Sequence, residues 1–545
     1  MEKQHNRGQD GAGIATVKLD IEAGNPFLYR LRSSAQQPIA DLFYKVGQEI
    51  QELEKLQPDI TKHPGLMKGH LPFMGEILLG HLRYGTQGKN NIEFCHPFIK
   101  RNLVPAKNLA LAGNFNLVNT EELYQHINVT PGTFEKESDL AAMMEVVHHF
   151  LEKEEHINPN NPNIVNVLKN AVPLFDGGFT VGGLLGNGYS FIIRDAHGIR
   201  PAYYYIDDEV IVAASERAAI RTTFNVAENE VLELMPGMAL IVDDHGKYSI
   251  EQIVAPNERR ACSFERIYFS RGSDEKIYRE RIALGNHLSV RVLDRIEKDL
   301  KNTIFSYIPN TAEVAFYGLV KGMEEYLNKI KVERILSWGN EVDPEKLEAM
   351  VNRKIRQEKI AIKDVKLRTF ITDDANRNEM VQHVYDITYG TVRKDEDTLV
   401  VIDDSIVRGT TLKESIIKML ARLSPKKIIV VSSAPQIRYP DCYGIDMSKM
   451  GDFIAFRAVI ALLNETGKSN IIADVLQKIK ALEAKGELYT ENVVRQLYKP
   501  FTPEEISDKI AQLITPENFN IPVEVIYQTI EDLHLCCPTN TGDWY

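Results

Sequence analysis

Residues 403–411, Asp-Asp-Ser-Ile-Val-Arg-Gly-Thr-Thr, bring two adjacent carboxylates, three hydroxyls, a guanidinium and a glycine into one short stretch. The pair Asp403 and Asp404 suits a ligand with vicinal hydroxyls, a bound Mg²⁺, or both. Ser405, Thr410 and Thr411 add hydroxyl donors, and Gly409 lets the backbone come close to a ligand. These groups need elements to hold them. Residues 399–402 are an apolar run of strand length that ends on the two aspartates. Behind the loop, Leu412, Ile416, Ile417, Leu420 and Leu423 recur on one helical face. The next apolar run, 428–431, completes a strand–helix–strand unit whose strands are expected to be parallel. A loop entering a helix in this way aims backbone N–H groups at whatever lies over the helix N-terminus, which is a phosphate site.

Composition narrows the class. The chain has 545 residues, 43% of them hydrophobic and 26% charged, with a formal net charge of −12. Sizeable cores are available, and the length suggests about three or four domain-sized units. An acidic chain has no field to steer nucleic acid or an anionic membrane, so neither is expected as a partner. No apolar run is long enough to span a bilayer, and MEKQHNRGQD lacks the core of a signal peptide. Cysteines at 95, 262, 442, 536 and 537 do not form a disulfide framework. A cytoplasmic location is expected.

Several apolar runs before residue 253 are punctuated by Gly and Asn, which reads as sheet-rich: EILLGHLRYGT, LALAGNFNL, GGFTVGGLLG, YSFIIRDAHGIRPAYYYI and VIVAAS. KEEHINPNNPNI, 153–164, reads as a surface loop within that region. IVAPNERRAC, 253–262, breaks the pattern, and helical stretches then alternate with short strands as in an α/β fold. Beyond about 455 the chain reads as mostly helical. The expected division is 1–255, 256–465 and 466–545.

Strand, DDSIVRGTT and helix together resemble the phosphoribosyl-pyrophosphate (PRPP) signature of type I phosphoribosyltransferases. The Ser-Ile-Val-Arg-Gly-Thr-Thr form is similar to the amidophosphoribosyltransferase branch in particular. A second resemblance covers the first 220 residues. HNRGQDGAGI (5–14), GHLRYGT (80–86), LAGNFNL (111–117), ESD (137–139), RDAHGIRPAYY (194–204) and AASERAAI (213–220) follow in the order found in N-terminal-nucleophile glutamine amidotransferases. The resemblances imply an αββα sandwich of α+β class over 1–255, lacking its first strand and nucleophile. They imply a type I phosphoribosyltransferase domain with a parallel sheet over 256–465, and a helical extension over 466–545. The implied reaction hydrolyses glutamine and uses the ammonia to displace pyrophosphate from PRPP, the first committed step of purine synthesis.

Residue roles follow from the same resemblance. Arg83 would clamp the glutamine α-carboxylate, Asp139 would accept from its ammonium, and Asn114 would donate to the oxyanion. PRPP would be bound by Asp403, Asp404, Ser405, Arg408, Gly409, Thr410 and Thr411, with Arg368 of the RTFI segment closing over it. Asp403 and Asp404 would associate with Mg²⁺. Departures are expected to change detail. Phe115 stands where the family has a glycine whose N–H completes the oxyanion site, and Gly113 stands where it often has His. Asn310 and Ala312 in YIPNTAE replace a Glu and a Ser. An iron–sulfur cluster is not expected, because Cys536 and Cys537 are adjacent and Cys442 is displaced by one from the family position.

The family's nucleophile is an N-terminal cysteine whose own α-amine is the base. Here HNRGQ begins at residue 5, and Cys95, being internal, has no free α-amine. The expectation is an N-terminally truncated record. Two further readings stay open: an ammonia-dependent transferase with a vestigial glutaminase half, and a PRPP-binding regulator. By resemblance, partners are PRPP, glutamine or ammonia, purine nucleotide inhibitors and a second copy of the chain in a homo-oligomer. The 545-residue chain is expected not to hydrolyse glutamine; an enzymatic assay for glutamate on incubation with glutamine checks this, and glutamate release would refute it.

Overall fold

The structure is a computed structural model that describes all residues except 23, 86–90, 133–137, 155–160, 340–341, 364–384, 442, 444–448, 489 and 543–544. The chain forms two compact units. The first comprises 1–265, 269–271 and 441–448, and the second comprises 266–268, 272–440 and 449–545. No described helix is long and apolar enough to cross a membrane.

In the first unit, β1 (Gly11–Val17) lies between β2 (Leu28–Ser33) and β3 (Ile77–Arg83) in an antiparallel sheet. The chain continues through β4 (Phe98–Lys100), β5 (Leu109–Leu117), β6 (Gly177–Leu185) and β7 (Ser190–Arg194). A small sheet of β8 (Tyr203–Ile206), β9 (Ile211–Ala214) and β10 (Leu232–Glu233) follows. Then β11 (Met238–Val242) and β12 (Tyr248–Gln252) join the earlier strands in a six-stranded sheet ordered β12-β11-β7-β6-β5-β4. All five apolar runs singled out before residue 253 are strands. Ala15, Val17 and Leu28 of the three-stranded sheet share one core with Ala110 and Leu184 of the six-stranded sheet. The outer face of the first sheet packs Ala12 and Ile14 on Ile39 and Leu42 of the helix Pro38–Leu56. The outer face of the second packs on the helices Asp139–Glu154 and Ile164–Ala171. The layers are therefore helix, sheet, sheet, helix.

The motif RDAHGIR works as a structural knot. Asp195 is 1% exposed and accepts backbone N–H groups from Phe179, His197, Ile199 and Arg200 at 2.9–3.3 Å. Arg194, equally buried, donates to the carbonyls of Gly198, Arg200 and Leu234 and to Glu233. Within the turn the Gly198 N–H bonds the Asp195 carbonyl, and the two charged side chains satisfy further backbone groups.

In the second unit, β13 (Thr303–Tyr307), β14 (Arg356–Gln357), β17 (Thr398–Asp403), β18 (Lys427–Ser432) and β19 (Val523–Tyr527) form a parallel sheet ordered β14-β13-β17-β18-β19; β15 (Ala361–Lys363) and β16 (Tyr385–Ile387) make a separate antiparallel pair. Strands β17 and β18 are parallel in register from Thr398↔Lys427 to Asp403↔Ser432, as the strand–helix–strand pattern requires. Leu399 to Ile402 are at most 1% exposed, and Leu412, Ile416, Ile417, Leu420 and Leu423 are all buried against them. The helices Glu275–Arg295 and Glu313–Ser337 cover the other face. The segment 466–545, expected as a helical extension, also supplies the edge strand β19, and its Ile506, Ile510 and Val525 belong to the same core.

The amino end of this sheet is pinned by Asp397. Its fully buried side chain accepts from Arg356 Nη2 at 2.9 Å and the Arg393 backbone N–H at 2.7 Å. Burial opposes its ionisation, yet the bonds from Arg356 and Arg393 outweigh this and hold the carboxyl down at about 2, below its ordinary 3.8. A carboxyl depressed on folding stabilises above its unfolded value and loses that contribution as pH falls through the folded one. Asp397→Asn is expected to lower the unfolding free energy of this unit by about 3 kcal/mol at pH 7. Denaturant melts at pH 7 and pH 3 check this, the gap between variant and parent narrowing at the lower pH.

Candidate functional sites

Strand β3 ends on Arg83 and β5 carries Asn114, while Asp139 opens the helix Asp139–Glu154. All three line one cavity of the first unit, about 300 Å³ in volume. Arg83 is buried, 6% exposed. One Asp139 oxygen accepts the Leu117 backbone N–H at 2.9 Å. Burial raises the Asp139 pKa, and that bond opposes the rise. Phe115 does not adopt a positive φ. It continues β5, paired with Phe179 of β6, so the oxyanion segment here is regular strand rather than a left-handed turn. Glu137 of ESD and Thr86 of GHLRYGT lie outside the described residues.

The cavity also exposes residues that motif reading left without a role. His81 Nε2 lies 3.1 Å from the Gly113 carbonyl oxygen. Its ring stands 4.2 Å from that of His96, and the His96 ring stacks on Phe115 at 5.5 Å and 14°. Burial pushes His81 down to about 4, the bond to Gly113 opposing and Arg83 adding to the shift. Burial also holds His96 well below the usual imidazole range, with His81 and Arg83 contributing.

A buried ion network makes another wall. Arg7 Nε is 2.6 Å from Glu216 Oε1, and its Nη1 is 2.7 Å from Glu265 Oε2. Asn6 Nδ2 donates to Glu216 as well, and Arg7 Nη2 donates to Ser270 Oγ at 3.0 Å. Three motif segments far apart in sequence thus meet on one guanidinium. Cys95 is fully buried beside Arg83, its thiol raised by burial and lowered in part by Arg83 and Arg32.

In the second unit, Asp403 closes β17 and the loop 404–411 leads into a π-helical turn, Leu412–Ile416, that passes into the helix Ile417–Ala421. Such turns recur at functional sites. Gly409 has φ +71°, which glycine adopts without strain. Ser405 Oγ donates to Asp404 Oδ1 at 3.0 Å. Thr410 and Thr411 begin the helical turn, and Arg408 stands 3.7 Å from Asp452. Burial and Asp404 raise Asp403 well above the carboxylate range. Burial also raises Asp404, against the opposing bonds from Ser405 and Thr311 and the charge of Arg281. Tyr385 is pushed up to about 12, by burial first and by the two aspartates second.

Arg281 was not singled out from the sequence. It is 4% exposed and shares a helix face with Ile277, Leu284 and Leu288. An arginine inside an apolar stripe was the available signal. Arg368, with Thr369 and Phe370, lies outside the described residues, as does Cys442. Burial raises the Cys262 and Cys536 thiols to about 12 each and raises Cys537 as well. Among the described residues, no group of three or more His, Cys, Asp or Glu could hold a metal ion.

A glutamine amidotransferase domain family matches residues 97–222. The chain is 28% identical over 472 residues to the amidophosphoribosyltransferase of Escherichia coli K12, covering 83% of this chain and 78% of the relative. It is 27% identical over 517 residues to the amidophosphoribosyltransferase of Bacillus subtilis 168, covering 92% and 90%, and 27% identical over 401 residues to that of Saccharomyces cerevisiae, covering 70% of each. The fold is similar to that of glutamine PRPP amidotransferase from B. subtilis solved with ADP and GMP, with a TM-score of 0.62 and 22% identity over 98% of this chain and 88% of that one.

The geometry generates one local expectation. A Cβ on Gly113 would stand 2.5 Å from the Thr180 carbonyl oxygen, which is backbone and cannot yield cheaply. Gly113→Ala is expected to destabilise the first unit by about 1–3 kcal/mol, read as a lower thermal midpoint.

Proposed function

We infer, for a chain that belongs with the amidophosphoribosyltransferases, that it transfers ammonia derived from glutamine to PRPP, releasing pyrophosphate and giving 5-phosphoribosylamine. This is the first committed step of purine synthesis. The observation that carries the reading is the half-buried Asp403–Asp404 pair at the carboxyl end of β17, above a glycine-bearing loop that opens a helix. In open parallel sheets that end of the strands is where ligands bind.

In the first unit, Arg83 would take the glutamine α-carboxylate through two parallel N–H bonds. The Asp139 oxygen not engaged by Leu117 would accept from the α-ammonium. Asn114 would donate its amide N–H to the carbonyl oxygen as negative charge develops there.

In the second unit, Ser405, Thr410, Thr411 and the backbone around Gly409 would bind the 5′-phosphate of PRPP at the start of the helix, with Arg408 at the loop's outer side. Arg368 would close over the substrate and exclude water from the reacting carbon. The two carboxylates fit Mg²⁺: both are raised by burial, and the charge of Asp404 raises Asp403 further, a repulsion that a cation relieves. Mg²⁺ would be held by Asp403 and Asp404 and would neutralise charge on the departing pyrophosphate. Thr311 and Ser405 orient Asp404, and Arg281 offsets its charge. Nitrogen forms its bond to ribose C1 as the bond from C1 to pyrophosphate breaks, and the surplus proton leaves to solvent.

We place this activity in the cytoplasm, in a homo-oligomer inhibited by purine nucleotides. The nucleotides ADP and GMP bound by the B. subtilis protein support that regulation.

The direct test is pyrophosphate release from PRPP and Mg²⁺ with ammonia or glutamine as nitrogen donor. Release with ammonia is expected, and its absence from folded protein would point to a PRPP-binding regulator. Asp404→Asn is expected to reduce ammonia-dependent release roughly 100-fold, measured by a coupled pyrophosphate assay at saturating Mg²⁺.

A further inference from the structure

Strand β4 pairs with β5 only from Phe98↔Leu111 to Lys100↔Leu109. Beyond Leu111, among the described residues, β5 has no strand neighbour on that side, and its sheet partner there is β6. A carbonyl left open on a buried strand must find a donor elsewhere. For Gly113 the donor is a side chain of the facing sheet, His81 on β3, at 3.1 Å. A carbonyl oxygen can only accept, so His81 Nε2 carries the hydrogen and the ring is in that tautomer.

The residue that follows is Asn114, and the one after it, Phe115, is held by the His96 ring stacked at 5.5 Å. The His96 ring in turn lies against His81 at 4.2 Å. Asn114 is therefore clamped from both sides, by a hydrogen bond to the preceding carbonyl and by stacking on the following ring. Asn114 Oδ1 is buried and, among the described residues, has no hydrogen-bond partner. The side chain is oriented by its backbone rather than by bonds of its own.

We propose that His81, braced by His96, is a positioning residue that aims the Asn114 amide at the side-chain carboxamide of a bound amino acid. The proposal rests on the reading of this cavity as a glutamine site. Arg83 and Asp139 recognise the α-carboxylate and ammonium, which every amino acid shares. Recognition of the carboxamide falls to Asn114, so it depends on the His81 N–H that sets the Gly113–Asn114 peptide.

The test measures binding of L-glutamine and L-norvaline to the full chain by calorimetry. Norvaline has the same side-chain length and no carboxamide, so it reports the cavity without Asn114. His81→Phe keeps the ring and removes the donor. It is expected to weaken glutamine about tenfold and to leave norvaline within twofold. His81→Gln, which restores an N–H donor, is expected to recover most of the loss. Asn114→Ala is expected to match His81→Phe, and the double variant to be no worse than Asn114→Ala; should His81→Phe misfold, His81→Leu removes the same donor and is read with the same two ligands. Unchanged glutamine binding by His81→Phe would overturn the proposal, as would equal loss of norvaline. A parent chain that binds both ligands equally would overturn it too, while leaving an amino-acid cavity. Binding of neither would sink the glutamine reading and the proposal with it.

Discussion

Two half-buried carboxylates held side by side set the terms for the second unit. Asp403 and Asp404 stand at the end of a strand whose Leu399–Ile402 are almost wholly buried, so the backbone that carries them is fixed. Burial favours the protonated form of both, and the charge of Asp404 adds to this for Asp403. The surroundings answer with donors: Ser405 and Thr311 bond Asp404, and Arg281 reaches it from the helix Glu275–Arg295. Arg281 is itself fixed by its bond to the Arg266 carbonyl at 2.7 Å. The compensation is incomplete, so the pair keeps raised pKa values within the fold.

The first unit solves a related problem by complete neutralisation. Arg7 is buried against Glu216 and Glu265, and the pairing raises its already high pKa despite burial. Removing one partner from such a group leaves a buried charge uncompensated, a much larger cost than the pair's net stabilisation. The network is thus better understood as a specification of geometry than as a source of stability. It fixes where the segments around residues 7, 216 and 265 meet, and the cavity wall they form contains Arg7 and Glu265. Arg194 and Asp195 do the same for the turn between β7 and β8. The motif around them is conspicuous in the sequence for a structural reason, not because those side chains face a ligand.

Much of this was legible because the patterns are local. The run 399–402, the loop and the helical face from Leu412 to Leu423 each follow from spacing alone, and all fell where expected. The strand β5 was equally readable. What escaped is non-local. Strand β19 is only five residues long, and its partner β18 lies about a hundred residues upstream. No spacing in the sequence shows that pairing, so the region read as helices. Arg281 escaped because a single charge on a helix is ordinarily solvated, and its burial depends on a strand end far along the chain. His81 was quoted within a motif, but its partner is a backbone carbonyl, which no residue pattern reveals.

The departures from family pattern are informative once their neighbours are seen. Asn310 and Ala312 stand where a carboxylate and a hydroxyl were expected, and Glu313 follows closely behind. Glu313 does not take over a ligand role, because its Oε1 accepts from both Tyr307 and Tyr317 at 3.0 Å. It braces the end of β13 against the helix Glu313–Ser337. The loop's remaining polar contribution is the Thr311 hydroxyl, which is directed at Asp404. Gly113 and Phe115 make a parallel case. A side chain at 113 would strike the β6 backbone, and the ring at 115 finds its partner in His96. The altered residues are mutually consistent: the small residue lets the strand approach, and the large one anchors it. The two replacements thus fix the backbone on either side of Asn114, while its side-chain oxygen stays buried and unpaired among the described residues.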